Sequence, residues 1–117
     1  MGDKIKRGND GEVRAAAFLE GKGYQVIARN YRHKHAEIDL IVKRGDWLVF
    51  VEVKTRTSAA YGYPEEFVDE KKEEKILEGA DHYLAECNWQ GNVRYDIVAV
   101  SIVNGRWDIV HFEDAFH

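Results

Sequence analysis

A chain of 117 residues with 44% apolar and 32% charged side chains and a net charge of −4 has the make-up of one globular domain, 1–117, able to bury a core without disulfides or a structural metal. No apolar run approaches the roughly 18 residues that a bilayer crossing takes, and "MGDKIKRGNDGEVR" lacks the hydrophobic core of a signal peptide, so the expected location is the cytoplasm with no membrane partner. The acidic balance argues against a protein that coats nucleic acid nonspecifically, and the lone Cys87 excludes an intrachain disulfide and reads as a small buried hydrophobe.

Along the chain, Asn9 followed three residues later by Glu12 has the form of a capping box, and "EVRAAAFLE" then predicts a helix that stops at Gly21 and Gly23. Glu12 shares a helical face with Ala15, Ala16 and Leu19, so an acid stands at the end of the stripe expected to meet the core, either as a cap or as part of a site. "YQVIARNY" is a short β-rich run. After the polar "RHKH" come two apolar runs, 37–43 and 47–54, separated by Arg44, Gly45 and Asp46, which predicts a hairpin. "TRTSAAYGYPEE" has no periodicity and carries the one proline, the pattern of a surface loop. From Val68, the spacing of Lys72, Ile76, Ala80, Tyr83 and Leu84 marks one face of a second helix ending near Asn88. "VRYDIVAVSIV", Asn104-Gly105 and "RWDIVHF" predict a second hairpin. The order is mixed α/β: helix, three strands, helix, two strands. The helix between strands allows 94–103 to run parallel to 47–54.

Three charges interrupt the first hairpin: Asp39, Glu52 and Lys54. Alternation places Glu52 and Lys54 on one face with Leu48 and Phe50, and Trp47, Val49, Val51 and Val53 on the other. A two-residue turn, Gly45-Asp46 or Arg44-Gly45, puts Asp39 opposite Glu52 or Phe50, on the Glu52 face in both cases; a three-residue turn sends it to the other side. Carboxylates about 5 Å apart repel by roughly 3 kcal/mol at an effective dielectric near 20. Two arrangements relieve this repulsion, a divalent cation such as Mg²⁺ or Mn²⁺ or a salt bridge between Lys54 and one acid. The first suits phosphodiester hydrolysis, which needs an activated water, a cation near the phosphoryl oxygens and help for the leaving alkoxide.

Basic residues bunch at Lys4, Lys6 and Arg7, at Arg29, Arg32 and Lys34, at Lys43 and Arg44, at Lys54 and Arg56, and at Lys71, Lys72 and Lys75, either as one positive surface or as separate solvated faces. Trp47, Trp89 and Trp107 suit burial in a core or interface better than stacking on bases. His33 and His35 alternate in a polar loop, the usual place of surface histidines without a role.

Asp39, a hairpin turn, then Glu52-Val53-Lys54, with Glu12 on the preceding helix, resembles the active-site pattern of the PD-(D/E)XK nuclease superfamily. The stretches "GNDGEVRAAAFLEGKGYQVIARNYR", "AEIDLIVKRGDWLVFVEVKTR", "GYPEEFVDEKKEEKILEGADHYL" and "VRYDIVAV" resemble, in order and over nearly the whole chain, the YraN-like family of small bacterial proteins, similar in fold to archaeal Holliday-junction resolvases. The resemblance implies a restriction-endonuclease-like αβββαβ core, a mixed sheet flanked by helices, with an extra C-terminal strand. It implies metal ligation by Asp39, Glu52, the Val53 carbonyl and Glu12, with Lys54 as the catalytic lysine and Mg²⁺ or Mn²⁺ as cofactor. Nucleic acid, DNA rather than RNA, is the expected partner, met by Arg32, Arg56 and Lys72; Glu37 stands either as a support for Asp39 or as an exposed acid. The expected activity is a divalent-metal-dependent endonuclease for branched or structured DNA, the alternative a nucleic-acid-binding module that does not cut. By analogy with the resolvases, the "RWDIVHFEDAF" end would serve a homodimer. Ala36 departs from the glycine that members often carry before Glu-Ile-Asp.

Overall fold

The computed structural model describes residues 2–56 and 70–116, with side chains for 10–56 and 71–116. The elements run α1 (Gly2–Gly21), β1 (Gln25–His33), β2 (Ala36–Arg44), β3 (Trp47–Arg56), α2 (Glu70–Cys87), β4 (Asn92–Val103) and β5 (Arg106–Phe112). This is the expected α/β order. Most of the predicted "TRTSAAYGYPEE" loop, and Val68 at the expected start of the second helix, lie outside the described residues.

The five strands form one sheet in the order β1-β2-β3-β4-β5, antiparallel except for β3 beside β4. That parallel pair follows from α2, whose length carries the chain back to the edge of β3 where it started. The β2–β3 turn contains two residues, Gly45 and Asp46, closed by Arg44 opposite Trp47. The β4–β5 turn is Asn104-Gly105 with φ of 50° and 74°, the positive backbone angles that favour this dipeptide in a tight hairpin.

Alternation along the strands makes two cores. Val49, Val51, Val98 and Val100 face Ala15, Ala16 and Leu19 of α1. Leu48, Phe50 and Ile97 face the other way, into a cluster with Ile76 and Ala80 of α2 and with Phe116. Gly79 is where α2 meets β2: a methyl added there would come within 3.1 Å of Ala36 Cβ, so the extra carbon that Ala36 brings to this position packs directly on the helix.

Three expectations change. The helix does not begin at Asn9; α1 starts at Gly2, so Asn9 lies inside it and Glu12 is free of a capping role. Cys87 is exposed at the end of α2 instead of buried, because the apolar face of that helix is carried by Ile76, Ala80, Tyr83 and Leu84. Trp47 is also exposed, at 39%, since it stands at the hairpin end of β3 beyond α1 and packs near the Arg94 guanidinium, 5.6 Å from its ring. Of the two arrangements the sequence left open for the basic bunches, separation holds for Lys43 and Arg44: Arg44, opposite Trp47 at the hairpin turn, stands about 17 Å along β3 from Glu52 at 3.3 Å per residue.

α1 lies close to β3 because residue 11 is glycine. A Cβ there would stand 2.1 Å from Thr55 Oγ1 and 3.3 Å from its Cβ. We therefore expect Gly11→Ala to lower unfolding free energy in urea melts, the steric loss of about 1–3 kcal/mol exceeding the gain of up to about 1 kcal/mol in helix propensity. Thr55→Ala in the same chain should restore most of it.

Candidate active site

The site begins as an interruption of the sheet. The β2–β3 ladder stops at Leu40 opposite Val51, and Asp39 has no partner residue in that ladder or in the one with β1. Ile38 and Ile41, three residues apart, both join the α2-side core, so the alternation of β2 breaks at Asp39. The Asp39 carboxylate fills the opening: its Oδ2 accepts a hydrogen bond from the Val53 N–H at 2.8 Å, replacing a ladder bond with a side chain. N–H and C=O of one strand residue project to the same side, so the Val53 carbonyl is directed into this gap as well.

Extending the register places Asp39 opposite Glu52, as the two-residue turn requires. Glu52 is 5% exposed, one of two buried acids among the described residues. Its Oε1 faces two ammonium groups, Lys72 Nζ from α2 at 2.6 Å and Lys54 Nζ from its own strand at 3.4 Å. Glu12 reaches the same place from α1. It stands near enough to Asn30, Asp39, Glu37 and Glu52 for each of them to bias its titration.

The electrostatics follow. Burial, then the neighbouring Glu52 charge, pushes the Asp39 carboxyl up to about 8, against the Val53 N–H, which favours the anion. Glu12 is raised, chiefly by burial. The two lysines move apart. Lys54 is lowered, first by burial and then by its contact with Lys72. Lys72 is raised, because Glu52 and Lys54 outweigh the burial that opposes them. The shorter bond to Glu52 belongs to Lys72, whose charged form is favoured, while burial and Lys72 disfavour the charged form of Lys54.

Among the described residues, no three His, Cys, Asp or Glu side chains stand in a ready-made cage for a metal. The donor chemistry nevertheless fits a hard divalent cation: carboxylates of Asp39, Glu52 and Glu12, and a backbone carbonyl. A cation already stands at Glu52, and it is the Lys72 ammonium.

Of the expected residues, Glu12, Asp39, Glu52, Val53, Lys54 and Lys72 come together. Arg56 ends β3 two residues beyond Lys54, exposed. Arg32 stands apart: 73% exposed, it pairs with Glu37 at 3.6 Å across the β1–β2 ladder, which also makes Glu37 a partner of Arg32 more than a support for Asp39. His35 and Glu37 line a cleft of ≈ 410 Å³ with Lys71, Lys72, Lys75 and Ile76. His33 stacks on His82 of α2 with ring centroids 3.5 Å apart, tying β1 to that helix.

Asn30 was not legible as a site residue. It takes φ 51°, a left-handed conformation that asparagine tolerates, and its amide favours the charged form of Glu12. Asp96 is the second residue missed. It is fully buried on the α1 side of β4, held by Arg94 Nε and Nη2 at 2.8 Å each, by His111 Nε2 at 2.6 Å and by the Asp114 N–H at 3.0 Å. Lys22 Nζ, 2.8 Å from His111 Nδ1, makes that nitrogen the acceptor and leaves the proton on Nε2, where it donates to Asp96. An acid in phase with Val98 and Val100 was the signal available in the sequence.

The model of the Uncharacterised protein family UPF0102 matches residues 11–100. The chain belongs to that family. A UPF0102 protein of Cytophaga hutchinsonii is 46% identical over 99 residues, covering 85% of this chain and 88% of the relative. Relatives from Chlorobium limicola and Rhodococcus opacus, also UPF0102 proteins, are each 43% identical, covering 97% and 99% of this chain and 94% and 100% of their own. UPF0102 is the YraN-like family that the sequence resembles. A solved structure, Pyrococcus furiosus SfsA in complex with Ca²⁺, superposes with a TM-score of 0.36 at 13% identity, covering 94% of this chain; the chain spans 63% of that one. A likeness at that level fixes neither reaction nor ligand.

Two measurements test this electrostatic description. The raised carboxyl of Asp39 binds a proton more tightly in the folded chain than in the unfolded one, so its contribution to stability is complete below about 3.8 and lost as pH rises toward about 8. Urea melts in EDTA should show stability falling across that window, and Asp39→Asn should flatten the fall. Asp96 has the opposite sign: burial opposes its charge, but His111, Arg94 and the Asp114 N–H outweigh burial and hold its carboxyl low. Asp96→Ala should cost about 3–5 kcal/mol at pH 7, as breaking a buried charge network does.

Proposed function

We propose that this protein is a divalent-metal-dependent endonuclease that hydrolyses DNA phosphodiester bonds, with Mg²⁺ or Mn²⁺ as its cofactor and branched or structured DNA as its preferred substrate. The supporting observation is the convergence of Asp39, Glu52 and Lys54 at one opening in the sheet, with Glu12 arriving from α1.

In this reading Asp39, Glu52 and Glu12, with the Val53 carbonyl, hold the cation. When bound, it supplies positive charge against the anionic phosphate and its leaving oxygen. Lys54 handles the proton. Its lowered pKa makes a free amine more accessible than at an exposed lysine, and that amine takes the proton of the water that attacks phosphorus. The bond to the leaving oxygen breaks as the new P–O bond forms. Protonated Lys54 then returns its proton to solvent or to the departing alkoxide. The cleft beside α2, with Lys71, Lys72 and Lys75, takes phosphates flanking the reacting one, and Arg56 extends the basic edge along β3.

The net charge of −4 keeps nonspecific affinity for nucleic acid low, so binding depends on this local cluster and on the cation. The experiment is cleavage of single-stranded, duplex, flap and four-way DNA with Mg²⁺ or Mn²⁺, beside calorimetric titration of the cation alone. Asp39→Asn should abolish the heat of cation binding and cleavage together. Lys54→Ala should keep the heat and lose cleavage by about 10²-fold or more. Cation binding without cleavage of any substrate would make the protein a binding module on a nuclease-like scaffold.

A further inference from the structure

Lys72 occupies an unusual position for a surface lysine. Its ammonium lies 2.6 Å from Glu52 Oε1, while its side chain remains 40% exposed and also lines the ≈ 410 Å³ cleft with Lys71, Lys75 and His35. The side chain thus spans two environments, a buried carboxylate at its tip and an open cleft in which three lysines and His35 face one acid, Glu37. Lys54 faces the same oxygen at 3.4 Å. Two ammonium groups on one carboxylate oxygen repel each other, and the one on the flexible, exposed side chain is the one able to leave.

We infer that Lys72 is the resident cation of the metal-free site, seated on Glu52 where a divalent cation binds, and that it exchanges with that cation and withdraws into the lysine cleft to face substrate phosphate. This rests on the reading of the acids as a cation site. Glu52 needs a cation in either state, because a carboxylate 5% exposed beside Asp39 and Glu12 is costly to leave unpaired. α2 supplies one when no metal is present. Exchange makes the two binding events cooperative: cation binding frees a positive charge on the phosphate side, and phosphate held in the cleft draws that charge off Glu52. By linkage, each ligand strengthens the other. Lys71 and Lys75 line the same cleft and share its field, but the ion pair found at Glu52 from this helix is that of Lys72. They are the controls that separate contact from field.

The test compares the full-length chain with Lys72→Met and Lys71→Met, using MnCl₂ alone as the probe. Removing either lysine takes away one positive charge from the surroundings, so both variants gain whatever the general field contributes. Removing the resident cation gives Lys72→Met more. Calorimetry should show Mn²⁺ binding at least about tenfold tighter in Lys72→Met than in Lys71→Met, equivalent to about 1.4 kcal/mol. In EDTA, Lys72→Met should melt lower than Lys71→Met, and saturating Mn²⁺ should close the gap. Equal Mn²⁺ affinities in the two variants, with the wild type also binding, would overturn the exchange and leave the cation site standing. No Mn²⁺ binding in any of the three would overturn both. Binding by Lys72→Met where the wild type binds none would support the exchange in its strongest form.

Discussion

Carboxylates held close together on neighbouring strands, one buried and one half-buried, repel each other, and the structure is arranged around holding them. β2 parts from β3 after Leu40, and the Asp39 carboxylate takes the Val53 N–H that the ladder gives up. The Val53 donor is not lost by the opening, because a side chain stands in for the missing strand. Each helix then contributes one group. α1, brought close to β3 by Gly11 against Thr55, carries Glu12; α2, seated on β2 through Gly79 against Ala36, carries Lys72. The acids come from three elements and the ammonium groups from two, so the arrangement exists only when sheet and both helices are assembled.

The molecule contains its own control for what burial does to an acid. Asp96 and Asp39 are both aspartates inside strands of one sheet, and their carboxyls move in opposite directions. Asp96 has a bidentate guanidinium, an imidazole N–H and a backbone N–H around it, so the anion is favoured. Asp39 has one backbone N–H and two further acids, so the anion is disfavoured. The first set is complete within the protein and serves the fold. The second has a deficit of positive charge, the imbalance on which the proposed cation site rests.

The sequence carried the elements and the site to different depths. Strand alternation and a two-residue turn narrowed the position opposite Asp39 to Glu52 or Phe50, and the Gly45-Asp46 turn of the structure selects Glu52. The pairing of β4 with β3 followed from the helix between them. Asn30 was hidden because its role depends on a positive φ inside a strand, which propensity does not report. The contact of Lys72 with Glu52 was hidden for a different reason: spacing fixes the face of a helix but not its height above the sheet, so the direction of a long side chain waits on packing. Arg32 shows the converse, a basic residue beside the motif whose partner is simply the acid across the ladder, Glu37.

The charges at the opening do not balance as a purely structural salt bridge would. Glu12, Asp39 and Glu52 meet Lys54 and Lys72, three acids for two bases: Glu52 is paired, and the carboxyls of Glu12 and Asp39 are raised instead. If stability were the only role, well-packed apolar residues of similar volume would serve as well or better, as they do where buried ion pairs have been replaced elsewhere. The neighbouring positions show that this chain has such residues at hand: Phe50, Val51 and Ile97 are buried around Glu52. An excess of acid kept beside an apolar surround, with two lysines on one carboxylate oxygen, is costly for stability alone, and that cost is what the proposed cation site would account for.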